Sequence, residues 1–256
     1  MSQPPQEICL LGFHAVRARL RAAPQTISRI VFDGQRKDSR IHGLLKLAEQ
    51  LSVKTVSDSP QSLERLAKGQ RHQGVLAIAT RRAQPDSLSD LLEQMESLER
   101  AGQWLVVLDG VTDPHNLGAI LRSVDGAGAA AVIAPRDKSA PLNDVAARVS
   151  AGAADHLPYL QVTNLARAIE ELQQADYTVI GLAEEADKSL YAADLTGRIA
   201  LVLGAEGDGM RRLTRERCDL LVRLPMQGSV ESLNVSVACG VCCYEALRQR
   251  QAKSSR

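Results

Sequence analysis

Three segments in the C-terminal part of the chain each combine an apolar run with a turn rich in glycine, asparagine or serine. They are LDGVTDPHNLGAILRS (108–123), LVLGAEGDGM (201–210) and LPMQGSVESLNVSVA (224–238). The apolar runs are typical of strands, and the first and third segments then begin a helix. Because α/β proteins gather backbone groups and short polar side chains at the carboxyl ends of strands, the segments together predict one ligand site.

Amide, carboxylate, hydroxyl and guanidinium groups in these segments are suited to hold and orient a reacting group. The candidate site residues are Asn116, Arg122, Glu206, Ser232 and Asn234. Each also has a purely structural interpretation. Asn116 can cap the helix that follows it, Ser232 and Asn234 can begin a helix, and the two charged residues can be solvated.

The glycine-rich turn GAEGDG (204–209) suggests a nucleotide-type ligand without a pyrophosphate. Its spacing is neither GxGxxG nor GxxxxGK[ST], the two common phosphate-binding patterns. Gly204 and Gly207 would let the backbone approach a flat ligand closely. Apolar walls are expected from Leu224, Met226, Leu233 and Val235. Adenine or a thioether-like group suits this mixture of surfaces.

Alternating strands and helices must position these residues. We predict strands at 104–108, 130–134, 178–182, 199–203 and 220–224, and helices at 87–100, 116–127, 143–153, 165–174 and 232–250. The strands are short and almost continuously apolar, as in a parallel sheet covered on both faces. The class is therefore α/β.

The first part of the chain is predicted to be a separate, small α/β domain. Helix patterns at 12–22, 41–51 and 62–67 alternate with strand patterns at 27–32, 53–56 and 74–79. The polar segment RRAQPD (81–86) contains a proline and has no periodicity, so we place the linker there. The expected domains are 1–80 and 87–256.

Composition excludes several classes of protein. The net charge is +1, which excludes a non-specific polycation but permits local basic patches. No apolar run approaches the roughly 20 residues of a membrane helix, and the N-terminus lacks a signal pattern, so we expect a cytoplasmic protein. Five cysteines do not suggest a disulfide framework. The Cys239-x-x-Cys242 spacing fits either a packed helix or a redox or metal motif, and the scattered histidines predict no metal site.

The three segments resemble motifs one, two and three of the SpoU, or TrmH-like, branch of the SPOUT RNA methyltransferases. The matching sequences are DPHNLGAILRS, GAEGDGM and PMQGSVESLNVSVA. GFHAV (12–16) and HQGVLA (72–77) are similar to the L30e-like RNA-binding domain attached to many members. The resemblance extends over the whole chain.

This resemblance implies an L30e-like N-terminal domain and a SPOUT domain with a mostly parallel sheet and a C-terminal trefoil knot. It implies that S-adenosylmethionine binds in the knotted loops, at Gly204, Leu224, Met226 and Leu233. It also implies that the five polar site residues are catalytic: Asn116, Arg122, Glu206, Ser232 and Asn234. It also implies a homodimer whose active sites lie near the subunit interface. The expected reaction is 2′-O-methylation of a guanosine ribose in 23S rRNA or a large-subunit precursor. A tRNA ribose methyltransferase and a non-catalytic RNA-binding assembly factor are the alternatives.

Two roles remain open for Arg122, which the resemblance makes the candidate base. A ribose 2′-hydroxyl is a weak acid, so methyl transfer needs both alignment and removal of its proton. Arginine is a poor base because its pKa is above about 12. Arg122 therefore either acts as a base in a strongly perturbed site, or holds the adjacent phosphate while the proton leaves through that phosphate or water.

Overall fold

The computed structural model describes residues 7–80, 84–97, 104–155 and 157–254. Contacts divide the chain into two compact units, Met1–Ala83 and Gln84–Arg256. Residues 81–83 of the predicted linker and 98–100 of the predicted helix lie outside the described residues, so the linker stays a prediction. Within the described ranges, no helix is long and apolar enough to cross a membrane.

The N-terminal unit is a mixed sheet of four strands with three helices. In chain order the elements are β1 (Glu7–Leu11), α1 (Gly12–Ala22), β2 (Ile27–Asp33), α2 (Ser39–Gln50), β3 (Thr55–Asp58), α3 (Pro60–Leu66) and β4 (Val75–Thr80). The strand order is β1-β4-β2-β3. Strand β4 is antiparallel to β1 and β2, whereas β3 is parallel to β2. The predicted α/β character of this unit is confirmed.

The C-terminal unit is built on a six-stranded sheet. Its elements are α4 (Leu88–Ser97), β5 (Leu105–Asp109), α5 (Pro114–Gly126), β6 (Val132–Pro135), α6 (Asp144–Val149), β7 (Tyr159–Val162), α7 (Leu165–Gln174), β8 (Thr178–Leu182), β9 (Ile199–Gly204), α8 (Arg212–Glu216), β10 (Leu220–Val222) and α9 (Val235–Ser254). The strand order is β10-β8-β9-β5-β6-β7, and every described pairing is parallel.

Helices cover both faces of this sheet, as its apolar strands predict. One core packs α5 and α9 against the sheet, around residues such as Ile120 and Cys243. The other packs α4 and α7 on the opposite face, around Leu91 and Ile169. All five residues of β5 are buried. Parallel pairing brings the carboxyl ends of the strands to one edge, where the loops of the three motif segments must lie.

Several predicted boundaries are wrong for local reasons. The helix predicted at 143–153 ends at Val149, because Ala151 and Gly152 adopt φ values of 53° and 99°, which a helix cannot contain. Helix α9 begins at Val235 rather than at Ser232. Strands β1 and β7 were not predicted.

The start of α5 decides between two interpretations of Asn116. The Asp113 side chain accepts a hydrogen bond from His115 N at 2.9 Å, and Pro114 occupies the first helical position. Asp113 is therefore the N-cap. Asn116 lies inside the first turn, and its side chain is free for another role.

Helix α5 packs closely on α6 at Gly118. A Cβ atom at this position would lie 2.6 Å from both Ala146 O and the Val149 Cβ atom. We predict that Gly118→Ala lowers the free energy of unfolding of the C-terminal unit by about 1–3 kcal/mol, because neither neighbour can easily move. Urea unfolding monitored by circular dichroism measures the change.

The matched control is Gly43→Ala on the exposed face of α2, where a Cβ atom would have nothing within 4 Å. Alanine is favoured over glycine in a helix by about 0.5–1 kcal/mol, so this variant should be slightly more stable than the parent. Equal effects of the two substitutions would contradict the packing account.

Candidate functional site

The candidate site lies where β5 and β9 end side by side. Asp109, the last residue of β5, is in register with Gly204, the last residue of β9. The loop after β5 leads into α5, the loop after β9 leads into α8, and the segment after β10 leads into α9. The parallel sheet therefore brings all three motif segments to one edge.

An amide group on the third segment joins the other two segments. Asn234 Nδ2 donates to Asn116 Oδ1 at 3.1 Å and to Glu206 Oε2 at 3.2 Å. A primary amide has two N–H groups, so one side chain can satisfy both acceptors. Asn234 Oδ1 accepts from Ser236 N at 3.0 Å and Ser236 Oγ at 2.6 Å, which holds the amide with its nitrogen toward the other two segments.

Asn116, Glu206 and Asn234 form one hydrogen-bonded group, which we call the Asn234 group. Arg122 and Ser232 lie outside it. Arg122 follows Asn116 on α5 and is exposed, and its side chain has no hydrogen bond or ion pair with any described residue. Ser232 precedes α9 and lines the adjacent cavity. The structure thus brings three of the predicted polar residues into contact and leaves two at the margins. The catalytic roles of all five stay predictions.

A cavity of about 680 Å³ opens beside this group, between the loops that follow β8, β9 and β10. The four predicted cofactor positions, Gly204, Leu224, Met226 and Leu233, all line it. Glu206 and Ser232 line it too, so the cavity adjoins the polar group. The segment from Leu182 to Glu185 is a further wall that the sequence analysis missed. This wall could have been predicted, since Leu182 ends a predicted strand and the carboxyl ends of parallel strands lie at the same edge of the sheet.

Gly204 is required by the loop that follows β9. A Cβ atom there would lie 2.1 Å from Gly209 C, because the loop folds back over the end of β9. Ala205 and Gly209 exchange two backbone hydrogen bonds of 3.0 Å, which close a tight turn. Gly207 and Gly209 have φ values of 84° and 65°, the region that favours glycine. The close approach of the Gly204 backbone to a flat ligand stays a prediction.

Asp109 and Arg211 form an ion pair at the base of the same loop, with side-chain atoms 2.6 Å apart. The Asp109 side chain is completely buried. Neither residue was predicted as functional. Asp109 could have been singled out, because it is an acidic residue directly after the apolar run of β5.

The Cys239-x-x-Cys242 motif belongs to the packed core of α9. Cys239, Cys242 and Cys243 are buried, with Cys239 Sγ 3.7 Å from Cys243 Sγ. Burial raises the pKa of Cys242, and a hydrogen bond with Cys239, together with burial, raises the pKa of Cys243. Protonated thiols are poor nucleophiles and poor metal ligands, so the packed-helix interpretation fits. The described residues contain no group of three or more His, Cys, Asp or Glu side chains that could hold a metal ion.

Comparison with protein families gives two matches that follow the two units. Residues 103–244 match the SpoU rRNA Methylase family. Residues 9–85 match the family described as RNA 2′-O ribose methyltransferase substrate binding.

Curated relatives are similar along almost their whole length. The chain is 54% identical to the 23S rRNA (guanosine-2′-O-)-methyltransferase RlmB of Ralstonia nicotianae, covering 94% of this chain and 95% of the relative. It is 47% identical to the RlmB of Escherichia coli, covering 94% and 98%. Among solved structures, the SpoU methyltransferase AviRb of Streptomyces viridochromogenes in complex with AdoMet matches with a TM-score of 0.68 and 26% identity, covering 96% of this chain and 91% of that one.

Proposed function

Because the chain belongs to the SpoU rRNA methylase family, we propose that it methylates the ribose 2′-hydroxyl of a guanosine in 23S rRNA, using S-adenosylmethionine. The names of the relatives at 54% and 47% identity support this substrate. The observation that carries the proposal is the Asn234 group beside the cavity, since the transfer needs a donor pocket and a polar acceptor site in contact.

The cavity fits S-adenosylmethionine in size and chemistry. Its volume of about 680 Å³ is in the range of roughly 300–1,000 Å³ of small-molecule sites. Leu224, Met226 and Leu233 offer aliphatic walls for adenine and the methionine chain. Acidic residues such as Glu184 and Asp208 face the same space and complement a cationic ligand. When bound there, S-adenosylmethionine supplies the methyl group.

The chain's own polar residues then hold the acceptor ribose. Asn116 and Glu206 both accept a hydrogen bond from Asn234, so these three polar side chains lie close together beside the cavity. Correct placement of an acceptor hydroxyl can lower a barrier by several kcal/mol. We assign this positioning role to Asn116, Glu206, Ser232 and Asn234.

Arg122 is proposed to bind the phosphate beside the target ribose. Its exposed guanidinium has no partner among the described residues, and a planar guanidinium matches the geometry of phosphate oxygens. In this role the proton of the hydroxyl leaves through the phosphate or through water.

The N-terminal unit is proposed to bind the RNA outside the reacting nucleotide. Lys37, Arg40 and Arg71 are exposed. Lys37 lies in the loop after β2, Arg40 in the first turn of α2 and Arg71 in the loop before β4. These segments lie at one end of the sheet, because β4 runs antiparallel to β2. Such a surface suits a phosphate backbone. The family match of residues 9–85 supports the assignment. Since rRNA is the substrate, we propose that the protein acts in the cytoplasm.

Methyl transfer to separated RNA pools tests this function. Labelled S-adenosylmethionine is incubated with the protein and with unmodified 16S rRNA, 23S rRNA, precursor large subunits or tRNA, and ribose methylation is mapped. A single 2′-O-methylguanosine in 23S rRNA, free or in the precursor, is expected. Label confined to tRNA would contradict the substrate. Absence of both transfer and cofactor binding would favour an assembly factor.

Substitution of Arg122 tests its phosphate-binding role. We predict that Arg122→Ala lowers transfer at least a hundredfold, because the acceptor nucleotide is no longer held, while binding of S-adenosylmethionine measured by calorimetry is unchanged. Arg148→Ala, at an exposed arginine on the neighbouring helix α6, is the control and should retain activity. Wild-type turnover by Arg122→Ala would rule out the assignment.

A homodimer is proposed through the exposed face of α9. Val237 and Tyr244 are 51% and 54% exposed and lie on one face of this helix. Val237 is one turn from Asn234, so a second copy placed there would reach the site. A two-fold axis would set this apolar face against its own image, which suits a symmetric dimer.

A charge in this face should separate the subunits. We predict that Val237→Glu converts a dimer into a monomer, because it would place like charges together in an apolar interface. Light scattering after size-exclusion chromatography measures the mass. Leu213→Glu, at an exposed leucine on α8, is the control and should remain dimeric. A monomeric parent protein, or a dimeric Val237→Glu variant, would contradict this interface.

A further inference from the structure

Asp109 is a buried carboxylate at the end of β5, and among the described residues its side-chain hydrogen bonds come from Arg211, which directly precedes α8. Its Oδ1 lies 2.6 Å from both Nε and Nη2 of Arg211. Its Oδ2 accepts a hydrogen bond of 2.9 Å from the backbone N of Arg211. The Asp109 side chain is 0% exposed, whereas that of Arg211 is 47% exposed. The carboxylate therefore fixes both the side chain and the backbone of Arg211.

This pair anchors the far end of the loop, which leads into α8, to the end of β5. Asp109 is in register with Gly204, and Arg211 follows the loop and precedes α8. The hydrogen bonds between Ala205 and Gly209 close the loop on itself but do not fix it to β5. Asp109 supplies that connection, since it reaches from β5 across the end of β9.

The anchored loop contributes to both parts of the candidate site. Every residue from Ala205 to Met210 lines the cavity. Glu206, on the same loop, accepts the hydrogen bond from Asn234. A displacement of this loop would therefore change the shape of the cavity and the position of Glu206 together.

We propose that Asp109 and Arg211 are positioning residues that hold the Ala205–Met210 loop in the conformation that binds S-adenosylmethionine. The inference rests on the proposed function and assigns a role to two residues that touch neither the cavity nor the Asn234 group. A buried ion pair adds little net stability compared with an apolar pair, but paired hydrogen bonds add geometric precision. A loop that contacts the cofactor requires such precision, because its residues must stay in position to bind.

Asp109→Asn is the direct test, because asparagine keeps the size of the side chain and loses its charge. The dissociation constant for S-adenosylmethionine, measured by calorimetry below the unfolding temperature of every variant, is expected to rise on the order of tenfold or more. Displacement of binding groups by about 1 Å can have effects of this size. KM for S-adenosylmethionine should rise in parallel, while KM for rRNA should not change.

Glu245→Gln is the matched control, since Glu245 is a second buried carboxylate. It is 8% exposed and accepts hydrogen bonds from Arg248 and Gln249, within α9. This variant should lose thermal stability and keep the parent's dissociation constant. Arg211→Lys retains the charge but loses the planar guanidinium, so it should also weaken cofactor binding. If Asp109→Asn does not fold, this second variant tests the positioning role.

The outcomes separate this inference from the proposed function. An Asp109→Asn dissociation constant within twofold of the parent's, or an equal rise in Glu245→Gln, would overturn the positioning role and leave the function intact. If Asp109→Asn does not fold, unchanged cofactor binding by Arg211→Lys would overturn it instead. Failure of the parent protein to bind S-adenosylmethionine would contradict the proposed function itself.

Discussion

The parallel pairing of β5 with β9 is the constraint on which the candidate site depends. Their last residues, Asp109 and Gly204, lie side by side, so the loops that follow begin at neighbouring points. The close return of Gly209 over Gly204 leaves no room for a side chain and keeps the turn compact. The cavity and the polar group around Asn234 both follow from this arrangement, because each uses residues of the loop after β9.

The side-chain amide of Asn234 connects two residues that precede it in the chain by 118 and 28 positions. Asn234 can do this because Ser236 holds its oxygen, leaving both N–H groups for Asn116 and Glu206. The result couples the first turn of α5, the loop after β9 and the start of α9. Cofactor and acceptor positions would therefore be set by one connected structure rather than by three independent loops.

Much of this organisation could be predicted from the sequence. The apolar runs of β5, β9 and β10 are each followed by polar or glycine-rich residues, which predicts a shared edge, and the predicted cofactor positions follow from the motif resemblance. The contacts of Asn234 could not be predicted, because they depend on how three loops approach one another. Asp109 was missed since its partner lies 102 residues away. The knot was implied by resemblance alone, as no periodicity indicates threading.

Hydrogen exchange with and without S-adenosylmethionine, followed by mass spectrometry, tests the central claim that one edge of the sheet binds the cofactor. Protection is expected in the loop from Ala205 to Met210 and in the segment from Leu224 to Val235, with no change in the N-terminal unit. Unchanged exchange in both segments at saturating cofactor, or protection centred on the N-terminal unit, would contradict the claim.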